Sequence, residues 1–125
     1  MDIATLKIDD NHDVKITLPN GEETDIVITV CGQDSDTYKA ISRKQQNARL
    51  KDMQRGRKSA ATAETLEERG LELLVACVTG WAGIQDGDKD LECNAENVKM
   101  VFEKLPFVKE QIDVAIGDRA NFMKS

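Results

Sequence analysis

Aromatic side chains make up only 4% of this 125-residue chain, as three Phe, one Trp and one Tyr. A core built from it must be aliphatic, and rings on which nucleobases could stack are nearly absent. His12 is the lone histidine and is expected in an acidic loop, Asp9-Asp10-Asn11-His12-Asp13. Cys31, Cys77 and Cys93 have no metal-like spacing, and a zinc site needs about four ligands. An odd number of unclustered cysteines reads as reduced thiols of a cytoplasm. No apolar run reaches the roughly 20 residues of a membrane span, and Met1-Asp2-Ile3-Ala4 lacks the basic head and apolar body of a signal peptide. Gly80, Gly83 and Gly87 form neither a G-x-x-x-x-G-K-[ST] nor a G-x-G-x-x-G phosphate cradle. Asp86, Asp88 and Asp90 alternate as in the first half of an EF-hand loop. Leu91 and Asn97 stand where that loop needs Gly and Glu, so the stretch reads as a solvated turn. The expectation is no catalytic residue, no metal, no cofactor and no enzyme.

What is present fits a globular chain, with 40% hydrophobic and 32% charged residues. The length suits a single domain, 1–125, with one modest core. The net charge of −6 hides a sharp asymmetry. Residues 39–58 carry Lys39, Arg43, Lys44, Arg49, Lys51, Arg55, Arg57 and Lys58 against one acid, Asp52. The flanking segments are acidic. A basic arm on an acidic body suits docking on an acidic protein surface, such as another subunit, or plain solvation, ahead of phosphate binding.

The order of elements reads as α+β, an N-terminal β-hairpin or small antiparallel sheet followed by about four helices. Residues 1–33 form the hairpin region. Ile3, Leu6 and Ile8 suggest a short strand. Val14-Lys15-Ile16-Thr17-Leu18 alternates, Pro19-Asn20-Gly21 turns, and Asp25 to Val30 returns as a β-branched strand. Residues 36–58 read as a projecting basic helix capped by Asp34, Ser35 or Asp36 and ending near Gly56, with a thin stripe of Tyr38, Ile41 and Ala48. Lys58 to Ala63 reads as a joint. Residues 64–125 read as the helical core. Asn94 caps a helix from Ala95 to Lys104, and Pro106 opens another with Val108, Ile112, Ala115, Ile116, Arg119 and Phe122 or Met123 along one side. Phe122 is placed to anchor the C-terminus.

The stretch Leu66 to Ile84 is expected to be the central helix. Leu66, Leu73, Leu74, Cys77 and Trp81 share one face, and Leu71, Val75 and Val78 share the other. A helix apolar on both sides belongs in the middle of something. Gly80 and Gly83 would end this helix or allow close packing, and Cys77 would be a small buried hydrophobe. Cys31 and Cys93 sit near element ends, where partial exposure is expected. Trp81 fits either a core position or a partner anchor.

Leu73-Leu74, Gly80-Trp81-Ala82-Gly83-Ile84, Asp86-Gly87, Glu96-Asn97, Leu105-Pro106, Glu110-Gln111-Ile112 and Asn121-Phe122 together resemble the tail assembly chaperones of long-tailed bacteriophages and prophages. The resemblance covers roughly residues 66–125. It implies a non-enzymatic assembly factor of the host cell cytoplasm that binds the tape measure protein, helps recruit tail tube subunits around it, and then leaves. A homo-oligomer is compatible, and the family often makes a longer frameshifted product. Under this reading Trp81, Ile84, Val108 and Ile112 border an apolar groove, while Lys39, Arg43, Lys44, Arg49, Lys51 and Arg55 meet acidic segments of a partner. Two other readings are a tail or connector subunit retained in the virion and a nucleic-acid-binding regulator acting through residues 39–58. Steeply salt-dependent binding to duplex DNA would mark the last.

Overall fold

A computed structural model describes residues 2–54 and 63–124. They form an α+β fold. A three-stranded antiparallel sheet, in the order β2 (Asn11–Thr17), β3 (Glu23–Cys31), β4 (Val78–Ala82), lies against helices. The chain between β3 and β4 leaves the sheet as two helices, α1 (Asp36–Gln54) and α2 (Ala63–Cys77), and returns to pair with the strand it left. After β4 come a two-residue-strand hairpin, β5 (Gln85–Asp86) and β6 (Lys89–Asp90), then α3 (Ala95–Lys104) and α4 (Pro106–Gly117). Near the C-terminus, β7 (Met123–Lys124) pairs with β1 (Lys7–Ile8).

The β2–β3 hairpin forms where the alternation and turn chemistry place it. Gly21 N–H donates to the Leu18 carbonyl, Leu18 N–H donates to Glu22 O, and Gly21 has φ +89°. This is a three-residue loop with Pro19 pre-set in the turn and glycine in the left-handed position that the bulge requires. Val14 and Ile16 of β2 and Ile28 and Val30 of β3 are buried on one face of the sheet, where α4 covers them. Asp13, Lys15, Val27 and Thr29 face the other way. The β2 edge is stopped by a side chain: the Gln111 amide accepts from Thr17 N–H at 3.0 Å and donates to Thr17 O at 2.7 Å, as a paired strand would.

The C-terminal helices also start where their caps predict. Asn94 Oδ1 accepts from Asn97 N–H at 2.9 Å, and Pro106 occupies the first turn of α4. Val98, Val101 and Phe102 of α3 and Val108, Ile112, Ala115 and Ile116 of α4 join the sheet residues in one core with Leu74, Cys77 and Phe122. At about 1.5–3 kcal/mol for each fully buried large aliphatic or aromatic side chain, this cluster is the main source of stability. Phe122 does anchor the C-terminus. It is 3% exposed, meets His12 edge-on with ring centroids 5.7 Å apart, and packs on Gly32, where a Cβ would sit 3.0 Å from the ring.

Several expectations are corrected. The central helix stops at Cys77 rather than running to Ile84, because Val78 to Ala82 is a strand paired with β3. A run such as Val78-Thr79-Gly80-Trp81 fits either period, and the unfilled edge of β3 decides it in favour of the sheet. Gly80 therefore lies inside a strand. Gly83, with φ +82°, turns the chain so tightly that a Cβ would strike the Asp25 carbonyl. Helix α4 ends at Gly117, and Arg119 to Phe122 form a separate 3-10 turn capped by Asp118, whose carboxylate accepts from Ala120 N–H. His12 lies within β2 rather than in a loop, and Cys31 is buried. Asp86, Asp88 and Asp90 lie along the tight β5–β6 hairpin. The expected end of α1 at Arg55 and Gly56 and the joint from Lys58 to Thr62 fall outside the described residues.

Gly83→Ala is expected to destabilise by about 2 kcal/mol or more, because positive φ and the Asp25 contact both oppose a side chain. Gly70→Ala, in mid-α2 with open space around its Cβ position, is expected to stabilise by about 0.5–1 kcal/mol. Chemical denaturation of the two variants beside the parent checks the opposite signs.

Candidate functional groove

Helix α2 is apolar on two sides, and the two sides have different fates. Leu74 and Cys77 point into the core and are buried. Leu71 and Val75, on the other side, are only half-buried and line an open groove of about 980 Å³. Glu68, Leu71, Glu72, Val75, Ala76 and Thr79 form its α2 and β4 wall, spaced as one helical face continued past the helix end. Ile41 of α1 closes one flank. Cys93, Asn94, Ala95, Glu96, Val98 and Lys99, at the start of α3, close the other. The floor is aliphatic, and the charged groups stand on the rim.

The first half of α1 holds its flank of the groove in place. Ser35 caps the helix: its Oγ accepts from Tyr38 N–H at 3.2 Å and donates to Gly32 O at 2.6 Å. Gln45 Nε2 donates to Arg69 O at 2.9 Å, tying α1 to α2 in antiparallel fashion. No α1 residue is fully buried, and the half beyond Gln45 is largely exposed.

Of the residues expected to border an apolar groove, none lines this one. Val108 and Ile112 are fully buried, so they belong to the core and not to an open wall. Their spacing on α4 is the same for a core stripe as for a binding stripe, and only the sheet packed over them decides which. Trp81 stands on β4 opposite Ile28, half-buried, with its indole N–H donating to Leu91 O at 2.8 Å. Ile84 is half-buried against the core. Both hold the β4–β5 corner, so replacing Trp81 acts first on stability. Lys39, Arg43, Lys44, Arg49 and Lys51 are exposed on α1, and Arg55 lies outside the described residues. The groove residues that sequence reasoning passed over, Leu71, Val75 and Val78, were visible as the second apolar face of α2.

Two thiols meet at the base of the α1–α2 excursion. Continuing the Val30–Val78 register by one residue sets Cys31 opposite Cys77, and both are buried. A hydrogen bond between them pushes Cys77 well up, with burial adding to the shift, and favours the ionised form of Cys31. Cys93 is half-buried in the groove wall, and burial pushes its thiol up. Among the described residues no three His, Cys, Asp or Glu side chains converge to hold a metal ion, and no helix is long and apolar enough to cross a membrane.

Comparison with known families decides what kind of protein carries this groove. The sequence matches the phage tail assembly chaperone family over residues 7–116 of 125. The chain belongs to that family. It is a phage tail assembly chaperone, and the match takes in the sheet, all four helices and every residue lining the groove. No curated protein and no solved structure matches it. Family membership favours the assembly reading over a nucleic-acid regulator. It implies interaction with other tail proteins.

In the folded chaperone one thiol, Cys93, is expected to react with Ellman's reagent ahead of the other two, and all three should react in denaturant. Comparing Cys93→Ser with the parent checks the assignment: the early phase should vanish while the denatured count falls by one.

Proposed function

We propose that the groove shelters an aliphatic helix of the tape measure protein while the tail is being built in the host cytoplasm, and that the sheltered complex recruits tail tube subunits. The observation that carries this is the second apolar stripe of α2, Leu71 and Val75, which no other segment of the chain covers among the described residues. A helix about 10 Å across occupies some 400 Å³ per turn, so the groove holds about two turns. An occupant of that length buries i, i+3, i+4 and i+7 side chains, the usual mode of helix-in-groove recognition. Long tape measure helices would need many such chaperones along their length. The acidic rim keeps the apolar floor soluble until it is filled.

Leu71→Ser with Val75→Ser removes apolar floor from a half-buried site, so it is expected to weaken capture of tape measure helices at least tenfold at temperatures where the chain keeps its native helicity, with a modestly lowered unfolding midpoint. Trp81→Ala is expected to do the reverse, lowering the midpoint with affinity preserved below it. Co-purification of each variant with co-expressed tape measure protein, beside circular dichroism melts, reads both. Retention of the tape measure protein by the Leu71/Val75 variant would remove the groove from the mechanism. Bound tape measure helix should also protect Cys93 from alkylation.

A further inference from the structure

Cys31 and Cys77 stand at the two ends of the α1–α2 excursion, and neither lines the groove. Cys31 is the last residue of β3 and Cys77 the last of α2. Continued by one residue, the pairing of Val30 with Val78 sets them opposite each other. Opposed residues of antiparallel chains have Cα atoms about 4.5–5.5 Å apart, within the span of about 4.4–6.8 Å that a disulfide bridges. The two side chains are 2% and 0% exposed. Their sulfurs are close enough to share a hydrogen bond. Ser35, the cap of α1, lies beside Cys31, and Tyr38 stands near Cys77. Any small apolar side chain would serve the packing here; only a pair of sulfurs can also be joined.

We propose that Cys31 and Cys77 form a reversible disulfide when the chain meets a peroxide, a modification that closes the α1–α2 excursion covalently. The two thiols are unlike. The Cys77 thiol donates to the Cys31 sulfur, and with Ser35 beside it this holds Cys31 below the ordinary thiol range, against the opposing effect of burial. The same contact, with burial added, pushes Cys77 well up. Cys31 is therefore the nucleophile and Cys77 the resolving thiol. The Cys31 thiolate attacks one peroxide oxygen, the O–O bond breaks, and the departing hydroxide takes up the proton that Cys31 had released. The Cys77 sulfur then attacks the Cys31 sulfenic sulfur, the S–O bond breaks, and the hydroxyl leaves as water with the Cys77 proton. Two thiols and one peroxide give one disulfide and two waters; the sulfurs lose two electrons and the peroxide gains them. Local opening of β4, a five-residue strand at the margin of the sheet, admits so small an oxidant. The bond encloses both α1 and α2, and nothing in its formation depends on a client.

The full chain carrying Cys93→Ser, reduced and then treated while folded with excess hydrogen peroxide, tests this. Removing Cys93 leaves only the two sulfurs concerned. The treated chain should lose the mass of two hydrogens, show no thiol to Ellman's reagent in denaturant, and yield on digestion one linked pair of peptides holding Cys31 and Cys77. Dithiothreitol should restore both thiols. The oxidised chain should unfold about 10 °C or more above the reduced one, because a closed loop of this length restricts the unfolded chain. Amides in the last turn of α2 and in β4 should exchange more slowly once the bond is made. In the same background Cys77→Ala should stop at a Cys31 sulfenic acid, captured by dimedone, while Cys31→Ala should leave Cys77 reduced, which assigns the two roles. The mass and the midpoint of the Cys93→Ser chain decide the matter even where an alanine variant fails to fold. Both thiols left free, oxygen added to a sulfur without linkage, a link between two chains, or a bond that leaves the midpoint unchanged or lowered each overturns the proposal.

Discussion

The pairing of β3 with β4 closes the base of a long excursion. The chain leaves the sheet at Cys31 and rejoins it at Val78, and joining two points that far apart costs about 3 kcal/mol of loop entropy. What offsets that cost lies at the closure itself. Val30 and Val78 pair in register, Cys31 and Cys77 come together in the core, and Ser35 ties the start of α1 back to Gly32. Without this closure Trp81 would have no Ile28 to stand against, and α2 would have no fixed orientation. The groove is thus a consequence of a strand pairing, although none of its floor except Val78 belongs to the sheet.

Fixing α2 at its C-terminal end gives it two unlike sides. Leu74 and Cys77 are buried in the core, while Leu71 and Val75 pack against it at half-burial and keep their outer surface open in the groove. The division suits a chaperone. A side chain that stabilises the fold cannot also be offered to a client without risk to the fold, and in the function proposed above the two duties fall on adjacent residues of one helix. The same economy shows on α1, whose inner side packs on α2 while its outer side keeps Leu50 and Met53 in water.

How much could be read in advance followed from how local each signal was. The β2–β3 hairpin was legible because Pro19-Asn20-Gly21 sets a turn without help from the rest of the chain. Helices α3 and α4 were legible because Asn94 and Pro106 fix their starts by their own chemistry. The end of α2 was not, since Val78 and Thr79 are β-branched within an otherwise helical apolar pattern, and only the open edge of a strand that ends 47 residues before Val78 tips the run into the sheet. The groove was half legible. Two apolar faces on α2 were plain from Leu71, Leu74, Val75 and Cys77, but which face the remaining helices would cover is a tertiary question. For the same reason Val108 and Ile112, assigned to a groove under the chaperone reading, lie in the core instead. The family resemblance, read from short C-terminal motifs, extended in fact across the sheet as well.

The Gln111 amide seated on Thr17 has a bearing on how such a molecule can be kept at high concentration. An unguarded sheet margin invites a neighbouring backbone to stitch itself on, and that growth is hard to reverse. By filling the hydrogen-bonding positions at the hairpin end with its own carboxamide, the chain denies that route at the place where its longest ladder would be extended. Crowded copies are then denied one backbone route to growth that would not easily reverse.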